Sequence, residues 1–201
     1  MELSKLDQIS TKYRTTNFYY DHPRQLAPMS SWNVRPEEKL IAFPCDKYPL
    51  DEDATLYRGI SILAPASVVY RWLCQLRVAP YSYDRLDNLG RQSPQTLTLG
   101  ADRLEVGQRM MGFELVDFQP DQSIMLRGKA TIYGDGVGSY LILPLTDRSV
   151  RLLAKIRIKY PRGLRGVPVR LFLPLGDMIM MRRQLLNLKK LSEQTYHTNS
   201  E

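Results

Sequence analysis

The segment YSYDRLDNLG, Tyr81 to Gly90, concentrates side chains that could carry chemistry. Asp84 and Asp87 are three positions apart, so on a helix they would share one face at a separation of about 5–6 Å. Two carboxyl groups at that distance can hold one proton between them at neutral pH, which is one route to general acid–base catalysis. The segment offers no accompanying nucleophile.

A structural interpretation of the same segment competes with catalysis, and the sequence favours it. Ser82 or Asp84 can cap the N-terminus of a short helix, and the run Asn88-Leu89-Gly90 is typical of a helix end. Leu86 and Leu89 would then anchor this helix to the core.

The histidines and cysteines offer no second centre. The two histidines, His22 and His197, lie near opposite ends of the chain, so a metal site or a serine–histidine couple would have to be assembled from a distant terminus. Cys45 and Cys74 have no CxxC spacing, which predicts two buried free thiols and neither a disulfide nor a zinc site. We therefore expect no metal and no cofactor.

The composition is that of one soluble domain. The chain has 201 residues, of which 43% are hydrophobic and 24% are charged. No window approaches the roughly 18 consecutive apolar residues of a membrane span. The N-terminus lacks the apolar region of a signal peptide, so the expected location is the cytoplasm.

The net charge of +7 is concentrated towards the C-terminus. Residues 148–190 contain twelve Lys and Arg and one acid, Asp177, whereas the rest of the chain has sixteen basic and twenty acidic residues. Such a region can attract an anionic ligand, a membrane surface or nucleic acid, but a solvated surface is the favoured interpretation. Lys155, Arg157 and Lys159 alternate with apolar residues, as on the exposed side of a strand. No nucleic-acid-binding motif is present, so no nucleic-acid partner is expected.

The hydrophobic pattern predicts an α+β fold. LYRGISIL alternates as a strand, and APASVVYRWLCQL repeats its apolar residues at helical spacing. Two hairpins follow, GQRMMGFELVDFQ with SIMLRGKATIY and GSYLILPL with SVRLLAKIRIKY. DMIMMRRQLLNLKKLSEQ is a terminal amphipathic helix, which the run Pro174-Leu175-Gly176 is expected to kink or break.

The first part of the chain, to about residue 54, is irregular but rich in aromatic residues, which favours packing over a free tail. We predict an N-terminal extension over residues 1–40 that wraps the core. A single domain would then occupy residues 41–196, with a disordered tail at 197–201.

Several of these segments together resemble the START-like superfamily, also called SRPBCC. They are APASVVYRWLCQL, YSYDRLDNLGRQS, VGQRM, GSYLILPL with VRLLAKIRIKY, and GDMIMMRRQLLNLK. The resemblance covers about residues 40–193, and YSYD-x-LDN-x-GR is its most specific part, similar to a bacterial branch of polyketide cyclase-like proteins. It implies the helix-grip fold, in which a curved antiparallel sheet wraps a long C-terminal helix and a short second helix lies at the mouth of an apolar cavity.

The implied cavity would be lined by the sheet and the terminal helix, with Tyr81 and Tyr83 as amphipathic groups at its mouth. The candidate ligand-binding residues are Trp72, Tyr81, Tyr83, Asp84, Arg109, Met111, Phe113, Met125, Ile132, Tyr140, Ile142, Ile156, Ile158, Met178, Met181 and Leu185. Alternatively, the apolar members simply fill a core. The flexible thioethers of the methionines favour a pocket, because they adapt to ligands of varied shape.

Three functions are compatible with these features. The favoured one is binding, for carriage or sensing, of a hydrophobic small molecule such as a lipid, polyketide or isoprenoid. The second is a metal-free enzyme like a polyketide cyclase or dehydratase, in which Asp84 or Tyr140 transfers a proton. The third is an interaction protein whose basic 148–190 face contacts an anionic surface. The sequence leaves open whether any reaction is catalysed and whether the chain is a monomer or a homodimer.

Overall fold

A computed structural model of the protein describes residues 29–131, 134–164 and 166–198. Seven strands form one sheet in the order β1-β2-β7-β6-β5-β4-β3, antiparallel except for the parallel pair β1–β2. The strands are β1 Ser31–Trp32, β2 Ala54–Ile62, β3 Arg109–Met110, β4 Phe113–Gln119, β5 Ser123–Thr131, β6 Gly134–Thr146 and β7 Ser149–Lys159. The helices are α1 Ala66–Cys74, α2 Asp84–Asp87 and α3 Gly166–Thr198. The predicted α+β class and helix-grip arrangement are confirmed.

The main core lies between one face of the sheet, here called the inner face, and the helices α1 and α3. Strand alternation directs every second residue of β2 and β7 to this side, where Ile60 and Leu152 are buried. From the helices, Trp72 of α1 and Leu185 and Leu188 of α3 join the same cluster. Helical spacing therefore located the buried side of α1 and of the second half of α3 correctly, whereas Leu171 and Leu175, which the same spacing places on the buried side of α3, are exposed.

A kink or a break was predicted at Pro174; helix α3 is continuous there, so the break is wrong. Proline removes a helical hydrogen bond, but tertiary packing can outweigh that cost. Here both flanks of the turn are fixed to the sheet: Leu173 packs with Leu56 of β2, and Asp177 pairs with Arg58 of the same strand. Pro168 lies in the first turn, where backbone amides have no intrahelical partner. None of the helices in the described ranges is long and apolar enough to cross a membrane.

The opposite, outer face of the sheet is covered by residues 36–53, which contain two short 3-10 helices, Pro36–Leu40 and Pro44–Lys47. The basic residues of β7 pair with the acids of this covering segment: Arg151 with Glu38, Lys155 with Asp46, Arg157 with Glu52 and Lys159 with Asp51. The prediction that Lys155, Arg157 and Lys159 share a face is confirmed, but their interpretation as a solvated surface is wrong. Acidic chain segments occupy that surface instead.

The described part of the N-terminal region is joined to the sheet. Ser31 and Trp32 form β1 beside β2, and Cys45 is buried on the outer face among Phe43, Met125 and Leu153. Both cysteines are free and buried, as predicted. Residues 1–28 and 199–201 lie outside the described ranges, and α3 extends through His197 and Thr198, two residues beyond the predicted end of the domain.

Candidate ligand-binding site

A cleft of about 170 Å³ lies between α3 and the segment around α2. It is lined by Tyr81, Ser82, Asp84, Ser93, Gln95, Arg183, Asn187, Lys190 and Leu191, and these nine residues are called the polar cleft below. The sequence prediction had identified two of them, Tyr81 and Asp84. The others were missed, although Arg183, Asn187 and Lys190 recur along α3 at the spacing of one helix side, which was the available signal.

Two amide side chains of α3 hold the inner wall of the cleft. Gln184 Nε2 donates to the carbonyl oxygen of Pro80 at 2.7 Å, and Asn187 Nδ2 donates to that of Tyr81 at 2.8 Å. Tyr81 has a positive φ of 56°, which is uncommon for a residue with a side chain. Its buried ring packs edge-on against Trp72 at a centroid distance of 5.9 Å. The peptide Pro80–Tyr81 is thus the partition between the polar cleft and the core.

The two aspartates of the opening segment accept hydrogen bonds from two different serines. Asp84 accepts hydrogen bonds from the backbone nitrogen of Ser93 at 2.9 Å and from Ser93 Oγ at 2.5 Å. Asp87 accepts a separate hydrogen bond from Ser82 Oγ. Each carboxylate has its own donor, so both hold loop structure and neither has the geometry of an acid–base pair.

The predicted cap and the predicted anchoring of α2 are wrong, whereas its predicted end is right. The N-cap of α2 is Tyr83 and has no side-chain cap, so neither Ser82 nor Asp84 caps the helix. The predicted helix end is confirmed, because the amide of Gly90 (φ 77°) donates to Asp84 O at 2.7 Å. Leu86 and Leu89 are 75% and 90% exposed, so they do not anchor α2 to the core. Because α2 has only four residues, it has no continuous apolar side that could pack against the core.

Behind the partition lies a buried polar pair, Tyr140 on β6 and Gln184 on α3. The Tyr140 hydroxyl donates to Gln184 Oε1 at 2.5 Å, and Gln184 Nε2 also approaches the sulfur of Met111 at 3.1 Å. Burial raises the pKa of the Tyr140 phenol, and the charge of Asp177 raises it further. Tyr140 therefore stays protonated at neutral pH and acts as a hydrogen-bond donor. This does not suit the base of a proton transfer.

A second buried pair joins β2 to α3. Arg58 Nη2 donates to Asp177 Oδ2 at 2.6 Å and also to the carbonyl oxygen of Met29 at 3.1 Å. Burial raises the pKa of Asp177 to about 6, although the Arg58 guanidinium opposes the shift. Sequence analysis missed this pair. The signals were a lone acid within a basic region and an arginine on the apolar side of a strand.

Most of the residues that were predicted to line a cavity lie on the inner face of the sheet or on the side of a helix that packs against it. Trp72, Tyr140, Ile142, Met181 and Leu185 belong to or pack against the main core, whereas Ile156 and Ile158 lie in a smaller cluster beside Leu173. Met111 contacts Gln184, and Met178 is half-buried.

Other predicted residues lie elsewhere. Met125 is on the outer face, because alternation along β5 directs its neighbours Ile124 and Leu126 inward. Arg109, Phe113 and Tyr83 are exposed: Arg109 belongs to the edge strand β3, Phe113 begins the adjacent strand β4, and Tyr83 precedes α2. Ile132 lies outside the described residues. Among the residues that the structure describes, no three His, Cys, Asp or Glu side chains are grouped to hold a metal ion.

Comparison with known proteins supports the fold. No protein-family model matches the sequence, and no curated protein matches it significantly. A solved structure from Thermobifida fusca is 14% identical, with 70% of this chain and 93% of that chain covered at a TM-score of 0.50. The Zhui aromatase/cyclase from Streptomyces sp. R1128 is 15% identical over 73% and 95% of the two chains, with a TM-score of 0.42.

Norcoclaurine synthase from Thalictrum flavum is 10% identical over 73% of this chain and 99% of that chain, with a TM-score of 0.45. At these identities the likeness concerns the fold alone. The observed strand order and the long terminal helix show the expected architecture. The chain has the helix-grip fold that the sequence resemblance implies.

Proposed function

We propose that the protein binds a hydrophobic small molecule, such as a lipid, polyketide or isoprenoid, between the inner face of the sheet and α3. The polar cleft would be its entrance. The observation that carries this proposal is the position of the cleft directly over the buried Tyr140–Gln184 pair. One helical turn separates Asn187, which lines the cleft, from Gln184, which lies in the core, and both residues bond to the same thin partition at Pro80–Tyr81.

The chemistry of the interior suits such a ligand. Affinity would come from apolar burial at roughly 25 cal/mol per Å². The side chains of Met111 and Met181 flank the polar pair, and their flexible thioethers can move to admit a guest. Tyr140 and Gln184 would give the ligand one hydrogen bond that fixes its orientation. In small-molecule sites, apolar side chains usually provide most of the contact area and a few polar groups orient the ligand.

The native mass spectrum of gently purified protein tests this proposal. We expect an excess mass of a small organic molecule that disappears when the protein is denatured. Protein stripped of that molecule should regain thermal stability when dodecanol or a similar apolar probe is added. An unmodified mass, together with no stabilisation by any apolar probe, would show that the interior is simply a filled core.

A second candidate function is contact of the solvent-exposed side of α3, which faces away from the sheet, with an anionic membrane. Val167, Leu171, Leu175 and Ile179 are 40–61% exposed and follow one another at every fourth position, so they form one apolar stripe. Arg170 is also exposed beside this stripe. Asp177, the one acid of the helix before Glu193, is turned inward to Arg58. An apolar stripe flanked by arginine is typical of a helix that lies on a membrane surface. The acid beside this stripe, Asp53, lies 4.0 Å from Arg170.

Sedimentation with vesicles tests this second candidate. The protein should sediment with vesicles containing phosphatidylserine, less with pure phosphatidylcholine, and less again at high salt. Leu171→Glu should abolish this binding, whereas Leu40→Glu, an exposed leucine on the outer side of the sheet, should not. Equal sedimentation of both variants would contradict the assignment.

A further inference from the structure

Among the residues that the structure describes, the polar cleft carries an excess of positive charge, because it contains two cations and one acid. Arg183 and Lys190 are seven positions apart on α3, with Asn187 between them, so all three face the cleft from the same side. Within the ranges that the structure describes, neither Arg183 nor Lys190 has an ion-pair partner. The neighbouring Lys189, by contrast, pairs with Glu193 at 3.8 Å.

The one acid of the cleft, Asp84, offsets only one of these two positive charges, and its hydrogen bonds are made with Ser93 and not with the cations. Both oxygens of Asp84 accept hydrogen bonds from Ser93. The amides of the cleft are also occupied: Asn187 donates to Tyr81 O, and Gln95 Nε2 donates to Ser93 O at 2.9 Å. The charged donors left for a guest are the ends of Arg183 and Lys190.

A third observation concerns the hydroxyl of another residue of the cleft, Tyr81. Tyr81 lines the cleft, and its hydroxyl oxygen is buried without a hydrogen-bond partner among the described residues. Burial and the nearby charge of Asp84 raise the pKa of Tyr81 to about 12, so the hydroxyl stays protonated. A buried, protonated hydroxyl without a partner favours a guest that can accept its hydrogen bond.

Taking the proposed function as its basis, we propose that the polar cleft holds an oxyanion, so that the ligand is an amphiphile with an anionic head and an apolar body. The head would be a carboxylate or a phosphate, bound by Arg183 and Lys190. The body would pass the Pro80–Tyr81 partition and reach the Tyr140–Gln184 pair. Guanidinium and ammonium groups on one wall suit both kinds of oxyanion, since both form charge-assisted hydrogen bonds with them.

Calorimetric titration with three probes of equal chain length tests this assignment. The probes are dodecanol, dodecanoate and dodecyl phosphate, each below its micelle concentration, and the protein is the full chain stripped of any carried ligand. The variants are Arg183→Gln/Lys190→Gln and, as the matched control, Lys189→Gln. We expect wild type to bind at least one of the two anions roughly tenfold more tightly than dodecanol. The double variant should lose that advantage and keep its dodecanol affinity, and Lys189→Gln should resemble wild type.

The two proposals fail in different ways. Equal affinity of wild type for all three probes would overturn the oxyanion assignment and leave hydrophobic binding intact. An anion preference that persists in the double variant would likewise overturn it. Absence of binding by all three probes would overturn both proposals. Preference for dodecanoate alone or for dodecyl phosphate alone would support the assignment and identify the head group.

Discussion

The two faces of the sheet use charge in opposite ways. On the outer face, four basic residues of β7 meet four acids of the covering segment 36–53, and the side chains at the rim of this network remain in contact with water. On the inner face, Arg58 and Asp177 form an isolated pair among apolar side chains, and Tyr140 and Gln184 form another. The outer charges hold a chain segment in place. The inner polar groups are buried at positions where an apolar side chain would cost less free energy to bury.

This difference indicates where function should be sought. Burying a charge or a hydroxyl costs free energy even when it is paired, and an apolar replacement is often equally stable. The outer ion pairs have a structural role, because they hold the covering segment 36–53 on the sheet. The inner pairs are candidates for ligand recognition, because both bridge the sheet to α3 and because Gln184 also bonds to the inner wall of the polar cleft.

The largest effect is expected where an outer pair is fully buried. Glu38→Gln would leave the guanidinium of Arg151 buried without its counter-charge, because Glu38 receives Arg151 Nε at 2.8 Å and both side chains are buried. The free energy of unfolding should fall by about 3–5 kcal/mol. Urea denaturation measures this loss. Asp51→Asn, at a pair where the aspartate is 96% exposed, is the matched control and should leave the urea midpoint unchanged. Equal losses in both variants would show that burial does not govern the outer network.

The inner ion pair should give stability a pH dependence of intermediate size. The pKa of Asp177 is raised to about 6 in the folded protein, above its value of 3.8 in a model compound. The folded state therefore binds this proton more tightly, so the contribution is present below about pH 4 and is lost as the pH rises through about 6. Relative to Asp177→Asn, wild type should lose about 2–3 kcal/mol over that range. Urea denaturation of both proteins at several pH values measures the difference, and a relative gain for wild type with rising pH would mean that Arg58 dominates.

A smaller loss is expected at the neutral inner pair. Tyr140→Phe would remove the donor to Gln184 Oε1 and leave a buried acceptor without a partner, at a cost of about 1–2 kcal/mol of unfolding free energy. The double variant Tyr140→Phe/Gln184→Met should lose less than the sum of the two single variants, since the two side chains interact directly. Thermal and urea unfolding of the four proteins measure this coupling. Strict additivity would contradict the hydrogen bond.

The smallest effect is expected at Asp84. Asparagine keeps one acceptor for Ser93, so Asp84→Asn should cost about 1 kcal/mol of stability and leave dodecanol affinity unchanged. Thermal unfolding and titration with dodecanol measure the two quantities. A large loss of dodecanol affinity with unchanged stability would assign Asp84 to the binding site itself.

The same contrast explains what the sequence predicted. Alternation and helical spacing report which residues of a local element share a side, and they located β7, α1 and the buried stripe of α3. They cannot report what covers that side. Lys155, Arg157 and Lys159 were placed together correctly, yet their acidic partners lie more than 100 positions earlier in the chain.

The candidate site was less accessible to sequence reasoning for the same reason. Asp84 finds its donor at Ser93 in an irregular loop, and Arg58 finds Asp177 across 119 positions. Met125 was assigned to the interior by residue type, although alternation with Ile124 and Leu126 would have placed it on the other face. Gln184 was overlooked because it is polar within an apolar stripe, which is also what makes it a candidate for recognition.

Methyl resonances of the methionines test the central claim most directly, because methionines lie on both faces. Met111 and Met181 contact the inner polar pair, whereas Met125 is buried on the outer face. In protein labelled with ¹³C at the methionine methyl groups, saturating dodecanol should shift the resonances of Met111 and Met181 and leave that of Met125 unchanged. A shift of Met125 alone, or no shift at any of the three, would contradict a ligand site between the inner face and α3.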